Sequence, residues 1–209
     1  MRIKICGITN LEDAAAAVKL GADALGFNFF PASPRFVAPD AARKIVDRLP
    51  PFVTAVGVFV NAADPAEPLF VARQSGVRVI QLHGDETPDF CARLRPWPLI
   101  KALRVGREVN LELAGRYPVS AILLDTQQDN VYGGTGRSFD WPLAAGLCAI
   151  MPVILAGGLR PDNVADAIRQ AHPYAVDVCS GVERSPGRKD PDKIRAFMQE
   201  VRNATHDRS

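Results

Sequence analysis

No apolar run in the 209 residues approaches the ~20 needed to cross a bilayer, so no membrane contact is expected. The N-terminus, MRIKICGITN, turns polar after a very short apolar stretch, which argues against a secretory leader. Lysine and arginine never form a block: charges of both signs are interspersed and the net charge is +2, so no nucleic-acid footprint is present. Cysteine is sparse and scattered. Cys6, Cys91, Cys148 and Cys179 make no C-x-x-C pair and no Cys/His cluster, so neither a zinc site nor a disulfide framework is expected. No Gly/Ser/Pro-rich linker divides the chain. The absences together describe a reduced, cytoplasmic protein with one domain over residues 1–209, the last few (about 204–209) forming a disordered tail.

What the chain does have is repetition. Short apolar, β-branched runs recur as RIKIC, ADALGFNF, VTAVGVFV, VRVIQL, PLIKAL, VSAILL, PVILAG and YAVDVC. Most are nearly continuous rather than alternating, as parallel strands covered on both faces require. Helical patterns lie between them. After Thr9, whose pairing with Glu12 suits a capping box, Leu11, Ala14, Ala15 and Val18 share one helical face, and Gly21 can close the helix. Ala42, Ile45, Val46 and Leu49 repeat that spacing before Pro50; Val164, Ala167, Ile168 and Ala171 repeat it again, as do Ile194, Phe197, Met198 and Val201. Eight strand signals alternating with about eight helices predict a single α/β domain, a (β/α)8 TIM barrel with a parallel eight-stranded core; a doubly wound open sheet is the competitor.

In such a barrel the chemistry sits at the C-terminal ends of the strands. Those ends carry Cys6, Asn28, Asn61, QLHGDE, Lys101, Arg104, DTQQDNVYGGTG, AGGLRPDN and CSGVERSPGRKD, with no comparable set at the strand starts. Gly157 and Gly158 follow strand seven, with a helix expected from about Pro161, and Ser180 and Gly181 follow strand eight. That pair of loops is where these barrels hold a phosphate on backbone N–H groups; alone, each is an ordinary glycine turn. Asp125 closes the run VSAILL, where a partly desolvated carboxyl suits general acid catalysis, and it opens a long Gly-rich loop of the kind that is usually functional. An N-cap or rim ion pair is the plainer role. Cys6 is the matching candidate base: Lys4 points to the same side of the strand and a helix beginning near Asn10 follows, and both favour a thiolate. A strand-end cysteine can equally be structural, and Cys91 and Cys148, inside helical patterns, are read that way. Arg35 lies past strand two, where its planar fork suits a substrate carboxylate. Gln81 and His83 flank Leu82, face one way, and are candidate contacts for a sugar hydroxyl.

Six stretches in register, KICGIT (4–9), SPR (33–35), QLHG (81–84), LLDT…GGTG (123–136), LAGGL (155–159) and VDVCSGVE (176–183), followed by PGRKD, resemble the phosphoribosylanthranilate isomerase family of tryptophan biosynthesis. The resemblance implies a (β/α)8 barrel that performs an Amadori rearrangement with no metal and no organic cofactor. It places the general base on Cys6, the general acid on Asp125, the anthranilate carboxylate on Arg35, and the phosphate on Gly157, Gly158, Ser180 and Gly181. The implied partner is a small phosphosugar bearing a carboxylate, with the chain a monomer or a homodimer. The family often has Ser where this chain has Cys179. Two rivals differ in testable ways: the sister isomerase of histidine biosynthesis typically pairs two aspartates, and this chain has no first-strand Asp. A non-catalytic phosphosugar-binding barrel would not need Cys6 or Asp125.

Overall fold

The computed structural model describes residues 1–105, 110–126 and 142–206. Strands β1 (Arg2–Ile5), β2 (Ala24–Asn28), β3 (Thr54–Phe59), β4 (Val79–Leu82), β5 (Leu99–Val105), β6 (Ala121–Thr126), β7 (Val153–Leu155) and β8 (Ala175–Val178) pair in that order, all parallel. β8 closes on β1, with Ile5 opposite Val178. Helices α1 (Leu11–Leu20), α2 (Pro39–Val46), α3 (Ala66–Ser75), α4 (Pro88–Arg93), α5 (Leu111–Gly115), α6 (Pro142–Cys148), α7 (Val164–Ala171) and α8 (Pro191–His206) follow the strands. The open-sheet alternative is excluded by the closure. No helix among the described residues is long and apolar enough to span a membrane.

Continuous apolar strands become buried twice over. One set of residues packs outward against the helices; an inner cluster that includes Val56, Ile100, Ala102, Leu123, Ile154 and Ala175 fills the barrel. Because side chains alternate along a strand, the inner cluster fixes which later residues also point inward. Two steps beyond Leu123 is Asp125, two beyond Ala175 is Asp177, and two beyond that is Cys179. Lys101 has the opposite parity and lies outside the barrel. Its Nζ donates to the carbonyls of Gly84 (2.7 Å) and Ala102 (2.8 Å) and pairs with buried Glu86 at 3.2 Å. It anchors loops and takes no place at the mouth.

Three local expectations shift. The N-cap of α1 is Asn10, whose Oδ1 accepts from Asp13 N at 2.9 Å. Thr9 instead donates to Gly187 O at 2.6 Å, so the capping box slides by one residue. Helix α7 starts at Val164 rather than near Pro161, since Asn163 ties the preceding turn by donating to Gly158 O at 3.0 Å and accepting from Arg160 N at 2.7 Å. Residues 204–206 are helical and no tail: α8 runs to His206 and Ala204 is fully buried, one helical step beyond Val201. Residues 207–209 lie outside the described residues, as do 127–141, which contain nearly all of the strand-six loop. The sequence reading also missed a one-turn 3-10 helix at Ser180–Val182 and a hairpin of β9 (Glu183–Ser185) with β10 (Arg188–Lys189).

Candidate active site

A cavity of about 510 Å³ opens at the C-terminal ends of the strands, lined by Cys6, Asn28, Arg35, His83, Asp125, Gly157, Gly158, Asp177, Cys179 and Ser180 among others. A larger, shallower groove of about 690 Å³ lies at the strand starts, but no thiol or imidazole among the described residues lines it. Of the predicted site residues, Gln81 and Gly181 do not line the mouth cavity. Gln81 is fully buried beneath His83. Gly181 packs under the strand-seven loop, where an added Cβ would stand 2.0 Å from Leu159 O.

Cys6 continues the β1–β8 ladder, its N–H donating to Val178 O at 2.9 Å. Its thiol fits because β2 presents Gly26 there; a Cβ at that position would come within 2.7 Å of Cys6 Sγ. One inward step earlier, Lys4 Nζ meets Asp177 Oδ2 at 2.8 Å with both side chains buried. The thiol is held well below its ordinary range. Hydrogen bonding from the Cys179 thiol is the main cause, and the positive Lys4 and Lys189 add to it against the opposing cost of burial. Cys179 is pushed up correspondingly, with Cys6 as its chief neighbour. Lys4 lies beside Cys6, while Cys179 Sγ has Lys189 Nζ at 3.8 Å and Glu183 Oε1 at 4.0 Å, charges of opposite sign that offset each other there. Burial pushes Asp177 up to about 6 even though Lys4 opposes the shift, and its Oδ1 has no hydrogen-bond partner among the described residues.

Opposite Cys6, β4 and β6 build a relay. Gln81 Nε2 lies 2.8 Å from His83 Nδ1, and His83 Nε2 lies 3.1 Å from Asp125 Oδ2. With the amide nitrogen facing Nδ1, the ring proton sits on Nε2 and is donated to Asp125. Asp125 is 5% exposed, and its Oδ1 is buried without a partner among the described residues. A buried acceptor without a partner in a cavity wall is where a substrate group would complete the hydrogen bonding.

Arg35 is held by two devices. Asn28 donates to Ser33 Oγ at 3.0 Å and that oxygen accepts from Arg35 N at 3.1 Å, fixing the loop. The guanidinium then lies side-on to Glu183, Nε at 2.9 Å from Oε1 and Nη2 at 2.7 Å from Oε2. This pairing uses the Nε edge and leaves the Nη1 edge of the fork for a ligand. Burial works against the Glu183 charge, but Arg35 and Lys189 (2.9 Å) hold its carboxyl below the usual range. On the far rim Gly157 and Gly158 adopt φ of 76° and 67°, a conformation that suits glycine and turns backbone toward the cavity.

Sequence reasoning did not single out Asp177, Glu183, Lys189 or Cys179 as site residues. The signal was there for one of them: YAVDVC places a lone acid inside an apolar strand, two residues before a cysteine. Among the described residues no group of three or more His, Cys, Asp or Glu is arranged to hold a metal ion.

Ionisable groups thus face a cavity sized for one small molecule and are held by buried partners. That is the arrangement of a barrel enzyme working by proton transfer on an anionic substrate. The comparisons with known proteins narrow the class. The family model of N-(5'phosphoribosyl)anthranilate (PRA) isomerase matches residues 3–200, and the chain belongs to that family. N-(5'-phosphoribosyl)anthranilate isomerase of Pelobacter propionicus is 53% identical over 203 residues, covering 95% of this chain and 94% of the relative. That of Pseudomonas fluorescens is 52% identical over 208 residues, covering 98% and 97%. The crystal structure of phosphoribosyl anthranilate isomerase from Thermus thermophilus superposes with a TM-score of 0.90 at 42% identity, covering 97% of this chain and 99% of the other. A further solved phosphoribosyl anthranilate isomerase, at TM-score 0.87 and 44% identity with the same coverage, is a complex with reduced 1-(o-carboxyphenylamino)-1-deoxyribulose 5-phosphate.

Proposed function

We propose that the isomerase reaction of this family is divided between Asp125 and Cys6. The observation that carries this is their placement on facing walls of one cavity, one with an unpartnered buried oxygen and the other with a thiol held below its usual range. The substrate is N-(5'-phosphoribosyl)anthranilate. Asp125 in its acid form carries the proton on Oδ1, since Oδ2 is engaged by His83, and delivers it to the furanose ring oxygen. The ring opens to a Schiff base. The Cys6 thiolate then removes the proton from C2 of the sugar, and the resulting enolamine tautomerises to the 1-deoxyribulose 5-phosphate product. A thiol near operating pH suits this abstraction better than an unperturbed lysine or aspartate.

The ends of the substrate are accounted for by the rim. Arg35 takes the anthranilate carboxylate with its Nη1 edge while Glu183 keeps the guanidinium planar and in place. Backbone N–H groups of Gly157, Gly158 and Ser180 take the phosphate; Gly181 lets the last two loops approach closely enough to share it. Gln81 does not touch substrate but sets the tautomer of His83, which in turn aims Asp125. Every residue assigned comes from one chain, so a monomer suffices for the chemistry and a homodimer is compatible with it. Four free cysteines suit a reducing cytoplasm.

The test is loss of substrate fluorescence. Phosphoribosylanthranilate generated in place from anthranilate and phosphoribosyl pyrophosphate is mixed with wild type, Cys6→Ala and Asp125→Asn, each checked for folding by circular dichroism. Decay with wild type and its loss in both folded variants supports the reading. Decay that survives either substitution removes that residue from its role.

A further inference from the structure

The pair Cys6 and Cys179 is more than a base and its neighbour. Ile5 stands opposite Val178 in the β1–β8 register, and Cys6 N bonds Val178 O one step further on. Cys6 and Cys179 are therefore cross-strand neighbours, both of inward parity, both lining the same cavity. Neighbouring parallel strands lie ~4.8 Å apart, within the ~4.4–6.8 Å that a disulfide needs between Cα atoms. Cys179 Sγ lies over Gly7, where a Cβ would be only 3.0 Å from it, and Gly7 follows Cys6 directly.

We propose that Cys6 and Cys179 are a covalent-modification site, closing a reversible disulfide across the β1–β8 seam with a peroxide as oxidant and a dithiol as reductant.

The chemistry balances in two steps. The Cys6 thiolate attacks one peroxide oxygen, an S–O bond forms, the O–O bond breaks, and hydroxide leaves to be protonated as water. Cys6 is then a sulfenic acid. The Cys179 sulfur attacks the Cys6 sulfur, an S–S bond forms, the S–O bond breaks, and the departing hydroxide takes the Cys179 proton as a second water. Two electrons pass from the two thiols to the peroxide. A dithiol reverses the bond by exchange. The Cys6 thiolate is the stronger nucleophile because Cys179 donates to it and Lys4 and Lys189 hold it ionised, whereas burial pushes Cys91 and Cys148 each up to about 11 and keeps them as thiols. A serine at position 179 could donate the same hydrogen bond but could not resolve the sulfenic acid. That Cys6 in the disulfide cannot accept a carbon-bound proton rests on the reading of Cys6 as the base; the modification site itself does not.

The test exposes the full-length chain to hydrogen peroxide, removes the peroxide, and reads isomerase activity on one portion while a second portion is blocked with a maleimide for intact mass and peptide map. The expected wild-type product has lost two hydrogens, shows a Cys6–Cys179 crosslinked peptide, and loses activity in step with the crosslinked fraction. Dithiothreitol restores both. In Cys179→Ser the Cys6 sulfenic acid has no resolving thiol, so excess peroxide carries it on to the sulfinic acid with a gain of two oxygens, and dithiothreitol does not return that variant to its own untreated activity. Cys91→Ser/Cys148→Ser still forms the crosslink. Oxygen addition to Cys6 in wild type without a crosslink, or a crosslink through Cys91 or Cys148, overturns the proposal. A Cys6–Cys179 crosslink with full activity retained keeps the modification site and overturns instead the role of Cys6 as base.

Discussion

Replacing Lys4 by methionine tests whether the site rests on the buried ion pair under Cys6. Methionine keeps the length and apolar stem of lysine and deletes the ammonium, so the change in charge dominates. Asp177 Oδ2 then loses its 2.8 Å partner, and Oδ1 already has none. In the wild type Asp177 has been pushed from 3.8 up to about 6. A carboxyl raised on folding costs stability above its unfolded value, and that cost grows with pH only until the folded value is passed. The wild-type penalty is therefore constant above pH ~6. Without Lys4 the folded carboxyl holds its proton to higher pH, and the penalty continues to grow by about 1.4 kcal/mol per pH unit. The variant should thus fall a further 2 to 3 kcal/mol or so below wild type between pH 6 and pH 8, reaching roughly 3–5 kcal/mol in total, the usual loss when one partner of a buried pair is removed. Urea unfolding followed by circular dichroism at the two pH values reads this directly, provided the slope with denaturant is unchanged. A deficit of equal size at both pH values would mean that only packing was lost, and the account of Lys4 and Asp177 would be refuted. The same variant should shift the acidic limb of kcat/KM upward, because a positive neighbour of the Cys6 thiolate is gone.

Three further outcomes follow from the site. Because Cys6 is held below the ordinary thiol range, the acidic limb of kcat/KM in wild type should lie below ~8.5 and disappear in Cys6→Ser, with residual turnover lower by about 10²–10⁴-fold. Gln81→Leu should lower kcat about tenfold (~1.4 kcal/mol) with KM nearly unchanged, since it frees His83 without touching substrate; a larger effect on KM than on kcat would place Gln81 in direct contact. Gly181→Ala drives a Cβ to 2.0 Å from Leu159 O, a backbone atom that cannot yield without moving the loop, so it should raise KM, weaken competition by inorganic phosphate and lower the thermal midpoint by several degrees. Unchanged phosphate competition would separate that loop from the phosphate.

The plainest parts of the fold were readable because one rule governs them. Parallel strands covered on both faces must be apolar throughout, and PVILAG, VSAILL and YAVDVC each announce a strand that the barrel contains. Strand order then fixes the mouth, which is why Cys6, His83, Asp125, Gly157 and Ser180 could be placed at one rim before any coordinates. Lys101 shows the limit of that reasoning. It sits near a strand end like Asp125, but one residue of parity sends it outward to Glu86 and the carbonyls of Gly84 and Ala102. Arg35 shows another, since nothing local reveals that its Nε edge is already engaged by Glu183, 148 residues away.

The sequence alone therefore determined the barrel, the end at which chemistry occurs, and the residue types available there, because these depend on periodicity along the chain and on what terminates each run. Only the tertiary structure decided which of those residues meet. The Lys4–Asp177 pair spans 173 residues and the Cys6–Cys179 seam forms where the last strand closes on the first. Pairing of that kind is a property of closure and register, and it is what turns an ordinary strand-end cysteine into one held below the usual thiol range.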